Sequence, residues 1–184
     1  MPTFAAAALA LSCAYAANGL FQSIVPLYAR SFFHRSDLLA AAYVTLMLGT
    51  SAGSQLLASR IPTRFCIRAG LLFLATGFTL VAVSVFASHQ WLLAAATIIV
   101  GIGNGLAFRG SLTRIAHAAP LDREAQVVSS YYAVGYLSTA VPPLLAGVGA
   151  ARVGLPLTFA LLVLVLAAAA IVNTFAPDLR QPAR

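Results

Sequence analysis

The chain has 184 residues, of which 61% are hydrophobic and only 8% charged, whereas an ordinary soluble domain carries about 25% charged residues. A globule of this size would have to present bare hydrocarbon to water, which excludes a soluble enzyme, a disordered tail and a disulfide-stapled secreted module and leaves a bilayer as the solvent. The formal charge of +7 comes entirely from arginines scattered between apolar runs rather than gathered on one face, so nucleic acid is excluded as a partner.

A spanning helix needs about 20 mostly apolar residues. Six segments qualify, predicting an all-α integral membrane protein with one domain over residues 1–184. The first span covers about 4–29. Ala14-Tyr15-Ala16 within it resembles a signal cleavage site, but no basic segment precedes it and the apolar run continues well past it. Tyr15, Asn18 and Gln22 fall at i, i+3 and i+7, with Pro26 one turn further on. That is a single stripe of a helix.

The second span, about 39–59, carries Tyr43, Met47, Thr50 and Ser54 on one face. Its Gly49 and Gly53 form a GxxxG pair, expected to let a neighbouring helix approach closely. The same stretch fits the GxSxG pattern of serine hydrolases around Ser51. An intramembrane hydrolase would need a histidine at membrane depth to activate that serine, and His34, His89 and His117 all fall in connections or at helix ends. Small-residue packing explains the motif better.

The third span, about 67–87, is almost purely aliphatic through its middle, as is the sixth, about 155–176. The fourth, about 91–111, carries Thr97, Gly101, Asn104 and Phe108 as a stripe, and Gly101 with Gly105 makes a second GxxxG. Gly101, Gly103 and Gly105 imitate a dinucleotide loop, but no strand precedes them. The fifth span, about 125–149, offers Ser129, Tyr132, Tyr136, Thr139 and Pro143 on one face. Cys13, inside an apolar run, and Cys66, in an arginine-rich connection, are expected to be free thiols. No metal or cofactor is expected.

Polar groups in hydrocarbon are costly, so four helices with mixed polar and aromatic stripes predict a wet cavity lined by spans one, two, four and five. Spans three and six would face lipid or support the bundle. The residues expected to line the cavity and meet a small-molecule solute are Tyr15, Asn18, Gln22, Tyr43, Asn104, Phe108, Tyr132 and Tyr136. The competing reading is interhelical hydrogen bonding in a six-helix scaffold or assembly protein that transports nothing.

No Asp or Glu lies inside a span, so an intramembrane carboxylate for proton coupling is not evident. Eight arginines fall in the even-numbered connections and the C-terminal tail, against Arg30, Arg35 and Arg152 in the odd-numbered ones. This asymmetry places both termini in the cytoplasm of a multi-pass protein of the plasma (inner) membrane. On that cytoplasmic side, Arg60, Arg64, Arg109, Arg114, Asp122, Arg123 and Glu124 form a candidate gate, with the two acids pairing to Arg109 or Arg114 when it closes.

The run Gly101-Ile102-Gly103-Asn104-Gly105-Leu106-Ala107-Phe108-Arg109-Gly110 is followed by Ala119-Pro120 through Arg123, Ser129-Ser130-Tyr131-Tyr132, Gly135-Tyr136-Leu137 and Pro142-Pro143. That order of glycine-rich helix, basic loop and aromatic helix resembles the C-terminal six-helix half of a major facilitator superfamily transporter, over essentially the whole chain. Arg60-Ile61-Pro62-Thr63-Arg64 is similar to a degraded copy of the family's basic loop motif, with Ser59 in place of its usual acid and Pro62 in place of its usual glycine. The resemblance implies a three-plus-three helix repeat and a secondary transporter with alternating access around a midplane site. It also implies a second six-helix half, supplied by the same longer chain or by a second copy in a homodimer.

Overall fold

A computed structural model describes residues 2–33, 37–119 and 124–175, all of them helical apart from short connections. The helices are α1 (Pro2–Phe33), α2 (Asp37–Leu57), α3 (Thr63–Ala87), α4 (Gln90–Ala118), α5 (Glu124–Val153) and α6 (Leu155–Thr174), with a 3₁₀ turn at Ala58–Arg60 after α2. The expected spans fall on these helices. α1 (32 residues) and α4 (29 residues) exceed their expected spans because, at about 1.5 Å per residue, they outrun a hydrocarbon core about 30 Å thick.

Local chemistry sets the breaks. Ile61 is extended at φ −94° and ψ 133°, because the following Pro62 disfavours helical backbone at the residue before it. Gly154 joins α5 to α6 at φ 85°, a left-handed conformation that glycine alone adopts freely. Pro156 then sits in the first turn of α6, where its missing N–H costs nothing.

Among the described residues, five helices are long and apolar enough to cross a membrane: α1, α3, α4, α5 and α6. α2 falls short of that standard. Thr45, Thr50, Ser51, Ser54 and Gln55 dilute it, and the first four of these spend their hydroxyls inside the bundle or on their own backbone. Thr50 Oγ1 donates to the Leu46 carbonyl at 2.8 Å and Ser54 Oγ to the Ser51 carbonyl at 2.9 Å, so the hydroxyls stay satisfied away from water.

The core runs along α1, α3, α4 and α6, with Phe21, Tyr28, Leu71, Leu74, Phe78 and Phe159 buried in it. α3 and α6 pack behind α1 and α4, while α2 and α5 stand on the other side. α5 is the least enclosed of the five apolar helices and exposes Leu137, Leu144, Leu145 and Val148.

The two GxxxG pairs part company. A Cβ on Gly101 would strike Thr50 Oγ1 and the Met47 carbonyl, and one on Gly105 would strike Ser54 Oγ and the Ser51 carbonyl. The α4 pair therefore seats α4 against α2. Gly49 and Gly53 meet nothing within 4 Å, which corrects the expectation that they too form a close helix contact within this chain. They sit on the α2 face turned away from its α4 partner.

Candidate solute cleft

An open cleft of about 370 Å³ is cut between α1, α2, α4 and α5, the four helices whose stripes are mixed. α1 supplies Tyr15, Asn18 and Gln22, spaced so that all three project from one face. α2 supplies Leu48, Ser51, Ala52 and Gln55; α4 supplies Asn104 and Phe108; α5 supplies Tyr136 and Thr139. Six of the eight residues expected from sequence border this one space.

Its floor is a hydrogen-bonded junction. Asn104 Nδ2 donates to Ser51 Oγ at 2.9 Å, and Gln55 Nε2 reaches the same oxygen at 3.4 Å. Arg109 Nη1 donates to the Gln55 backbone carbonyl at 3.3 Å, tying α4 to the last turn of α2. On the other side, Thr139 Oγ1 donates to the Tyr15 carbonyl at 3.2 Å and joins α5 to α1. Two amide oxygens, Asn18 Oδ1 and Asn104 Oδ1, are buried without a hydrogen-bond partner. Ser51 thus spends its hydroxyl oxygen on two amides, a structural use that leaves the hydrolase reading of its motif without support.

The wall is aromatic. Tyr15 meets Tyr136 edge-on at 5.5 Å between centroids and 86° between planes. Phe108 lies 6.0 Å from Tyr15 at 39°. Tyr132 stands behind, 6.5 Å from both Phe108 and Tyr136, and braces the wall without bordering the cleft. Such tilted pairs are the favoured geometry of aromatic rings. Tyr136 keeps 67% of its surface exposed, so the cleft is open on the α5 side.

Tyr43 is elsewhere. It is buried in the core beside Ala40 and Met47, and its hydroxyl donates to the Gln90 carbonyl at 3.2 Å, bracing α2 against the start of α4. The whole stripe read on α2 is displaced: Met47, Thr50 and Ser54 line the seam against the α4 glycines, while the cleft takes Leu48, Ser51 and Gln55, one residue onward. One residue is about 100° of helix rotation. Ser51 and Gln55 were legible as polar groups within a span; what sequence did not reveal was which of two adjacent polar faces met the helix and which met the space.

Of the expected gate residues, Arg60 in the 3₁₀ turn and Arg64 in the first turn of α3 are exposed, with the Arg64 guanidinium 5.1 Å from the Phe65 ring centre. Arg109 is half-buried beside the cleft and Arg114 is buried at 7% exposure. Asp122 and Arg123 lie outside the described residues, as does the side chain of Glu124, whose backbone opens α5.

A comparison with curated proteins gives no match. A family model does match, over residues 7–184, and its description is Major Facilitator Superfamily. A match of that extent, on an all-helical chain whose cleft lies between its first, second, fourth and fifth helices, means that the chain belongs to the Major Facilitator Superfamily.

Proposed function

We propose that this chain is one six-helix half of a secondary transporter that moves a small solute across the plasma membrane by alternating access, its cleft being this half's share of the solute site. The single observation that carries this reading is the convergence of four helices on one open, polar and aromatic space. A scaffold needs no such space, and its helices would close over their amides.

In this reading all six helices span, forming one domain with the three-plus-three repeat of the family. α2 does so despite its lower hydropathy because one side seals against α4 and the other faces the cleft and a second half. That second half, from the same longer chain or a second copy, covers the cleft and packs on the exposed faces of α2 and α5, where Gly49, Gly53 and Gly147 leave room. Arg109, Arg114, Asp122 and Glu124 close the cytoplasmic side.

The test is blockade of the cleft. In a background with Cys13 and Cys66 changed to Ala, Ala52→Cys carries a bulky maleimide into the cleft and Val165→Cys, 65% exposed on α6, carries it to the outside of the bundle. A broad solute panel is screened by thermal shift. Solutes that raise the melting temperature should lose that effect on labelling at position 52 and keep it on labelling at 165. A panel in which no solute shifts the melting temperature would favour the scaffold.

The arginine asymmetry supports cytoplasmic termini and gives a second expected result. In the same background, Ser88→Cys, on the α3–α4 connection, should react with an impermeant thiol reagent added to intact cells. Ser59→Cys, in the 3₁₀ turn, should not react until the cells are opened. Both positions are exposed and both changes are near-isosteric. The reverse pattern would invert the orientation.

A further inference from the structure

We propose that the cleft takes an uncharged, polyhydroxylated solute, a sugar or sugar alcohol by chemical class; this deepens, and rests on, the reading of the cleft as a solute site. Among the described residues, its lining holds no charged side chain. The nearest charge, Arg109, is bonded to the Gln55 carbonyl. An anion would find no free cation among the lining residues, and a cation would find no carboxylate. An ion stripped of water without a counter-charge binds poorly.

Half of the polar side chains that remain are primary amides, Asn18, Gln22, Gln55 and Asn104, beside the hydroxyls of Ser51, Thr139, Tyr15 and Tyr136. An amide presents a donor and an acceptor side by side, and a pair of neighbouring hydroxyls presents the complementary acceptor and donor. That match holds whichever end of each amide carries the oxygen. Asn104 is 4% exposed, and its Oδ1, like that of Asn18, lacks a partner. A buried acceptor without a donor is costly, and a hydroxyl entering between α1 and α4 relieves that cost at both amides once each turns about its terminal torsion.

The aromatic wall narrows the class further. Tyr15, Phe108 and Tyr136 are tilted by 39° and 86° about Tyr15, so no parallel pair is formed to sandwich a flat base. A saturated ring or chain instead lays its C–H face on one aromatic ring and turns its hydroxyls to the amides. A space of about 370 Å³ is within the usual range of roughly 300–1,000 Å³ for small-molecule sites.

The experiment uses the complete transporter in nanodiscs, with affinity and melting temperature measured for D-glucose, D-arabinose, D-mannitol and phenyl β-D-glucoside. Uracil, benzoate and benzyltrimethylammonium are measured beside them. At least one polyol should bind, and Asn18→Leu and Gln22→Leu should each weaken it five-fold or more, while Val165→Leu changes nothing. Polyol binding that survives both amide substitutions overturns the proposal. So does tighter cleft-dependent binding of uracil, benzoate or the ammonium ion, but that outcome leaves the cleft standing as a solute site. If labelling at Ala52→Cys displaces no solute at all, the site reading itself fails and the class falls with it.

Discussion

Replacing Gly105 with leucine is expected to force α4 away from α2 and to lower the melting temperature of the solubilised protein by about 2–10 °C, taking an overpacking cost of roughly 1–3 kcal/mol. The added Cβ would run into Ser54 Oγ and the Ser51 carbonyl. The hydroxyl can turn aside, but the carbonyl belongs to the helix and cannot. The same shift would break the Asn104–Ser51 bond and the Ser54 Oγ to Ile102 carbonyl bond, 3.2 Å long. Gly53→Leu is the matched control. It adds the same side chain at the same motif position on the facing helix, into space with nothing within 4 Å, and should leave the melting temperature of the isolated chain within about 1 °C. Equal losses for the two variants would mean that Gly49 and Gly53 also bury a seam, contrary to the packing found. In the complete transporter Gly53→Leu acquires a second use: a drop in assembly there, without a drop in the isolated chain, would locate the second half on that face of α2.

This contrast also shows what sequence could and could not resolve. Helix number, order and approximate ends were legible, because runs of about 20 apolar residues have few alternatives. The α1 face was legible for a similar reason: Tyr15, Asn18 and Gln22 are the large polar side chains through its middle and fall on one face, with only the small hydroxyls of Ser12 and Ser23 nearby. α2 was ambiguous because it has two. Its seam toward α4 wants small or hydroxyl-bearing residues that let backbones approach, which is what Thr50 and Ser54 provide. Its cleft face wants groups that water or solute can meet, as Gln55 does. Periodicity detects that a face avoids lipid without telling which neighbour replaces the lipid, so the stripe through Tyr43, Met47, Thr50 and Ser54 was assigned to the cavity when it belongs to the seam. Gly101 and Gly105 held the missing information, since a glycine pair at helical spacing needs a facing partner. That partner is the Met47–Ser54 stretch. Tyr132 illustrates a milder error of the same kind: it shares the α5 face with Tyr136, but a second row of rings fits behind the first.

Asn104→Leu should change solute affinity and stability in opposite directions. The amide makes one hydrogen bond, from Nδ2 to Ser51 Oγ, and leaves Oδ1 buried without a partner. A hydrogen bond between membrane helices is worth on average about 0.6 kcal/mol, whereas a buried acceptor left unmade costs about 1–3 kcal/mol. The unpaired oxygen outweighs the bond. Leucine has the same number and branching of side-chain heavy atoms, removes both, and does not strand Ser51, whose Oγ keeps Gln55 Nε2 at 3.4 Å. The melting temperature should therefore hold or rise by a few degrees. Affinity should fall about five- to a hundred-fold, the equivalent of losing about 1–3 kcal/mol of bonding to a polar solute. The reason is that an orphaned group at the floor of a cleft makes sense only if something transient satisfies it, and a protein that kept Asn104 for helix packing would gain by discarding it. Asn104→Asp separates the two effects further, since it retains an acceptor but places a carboxylate among the α2 and α4 backbones, and should lower both affinity and stability. Affinity and melting temperature measured together on both variants decide the matter. An Asn104→Leu protein with normal affinity and a lowered melting temperature would return Asn104 to the seam beside Ser54.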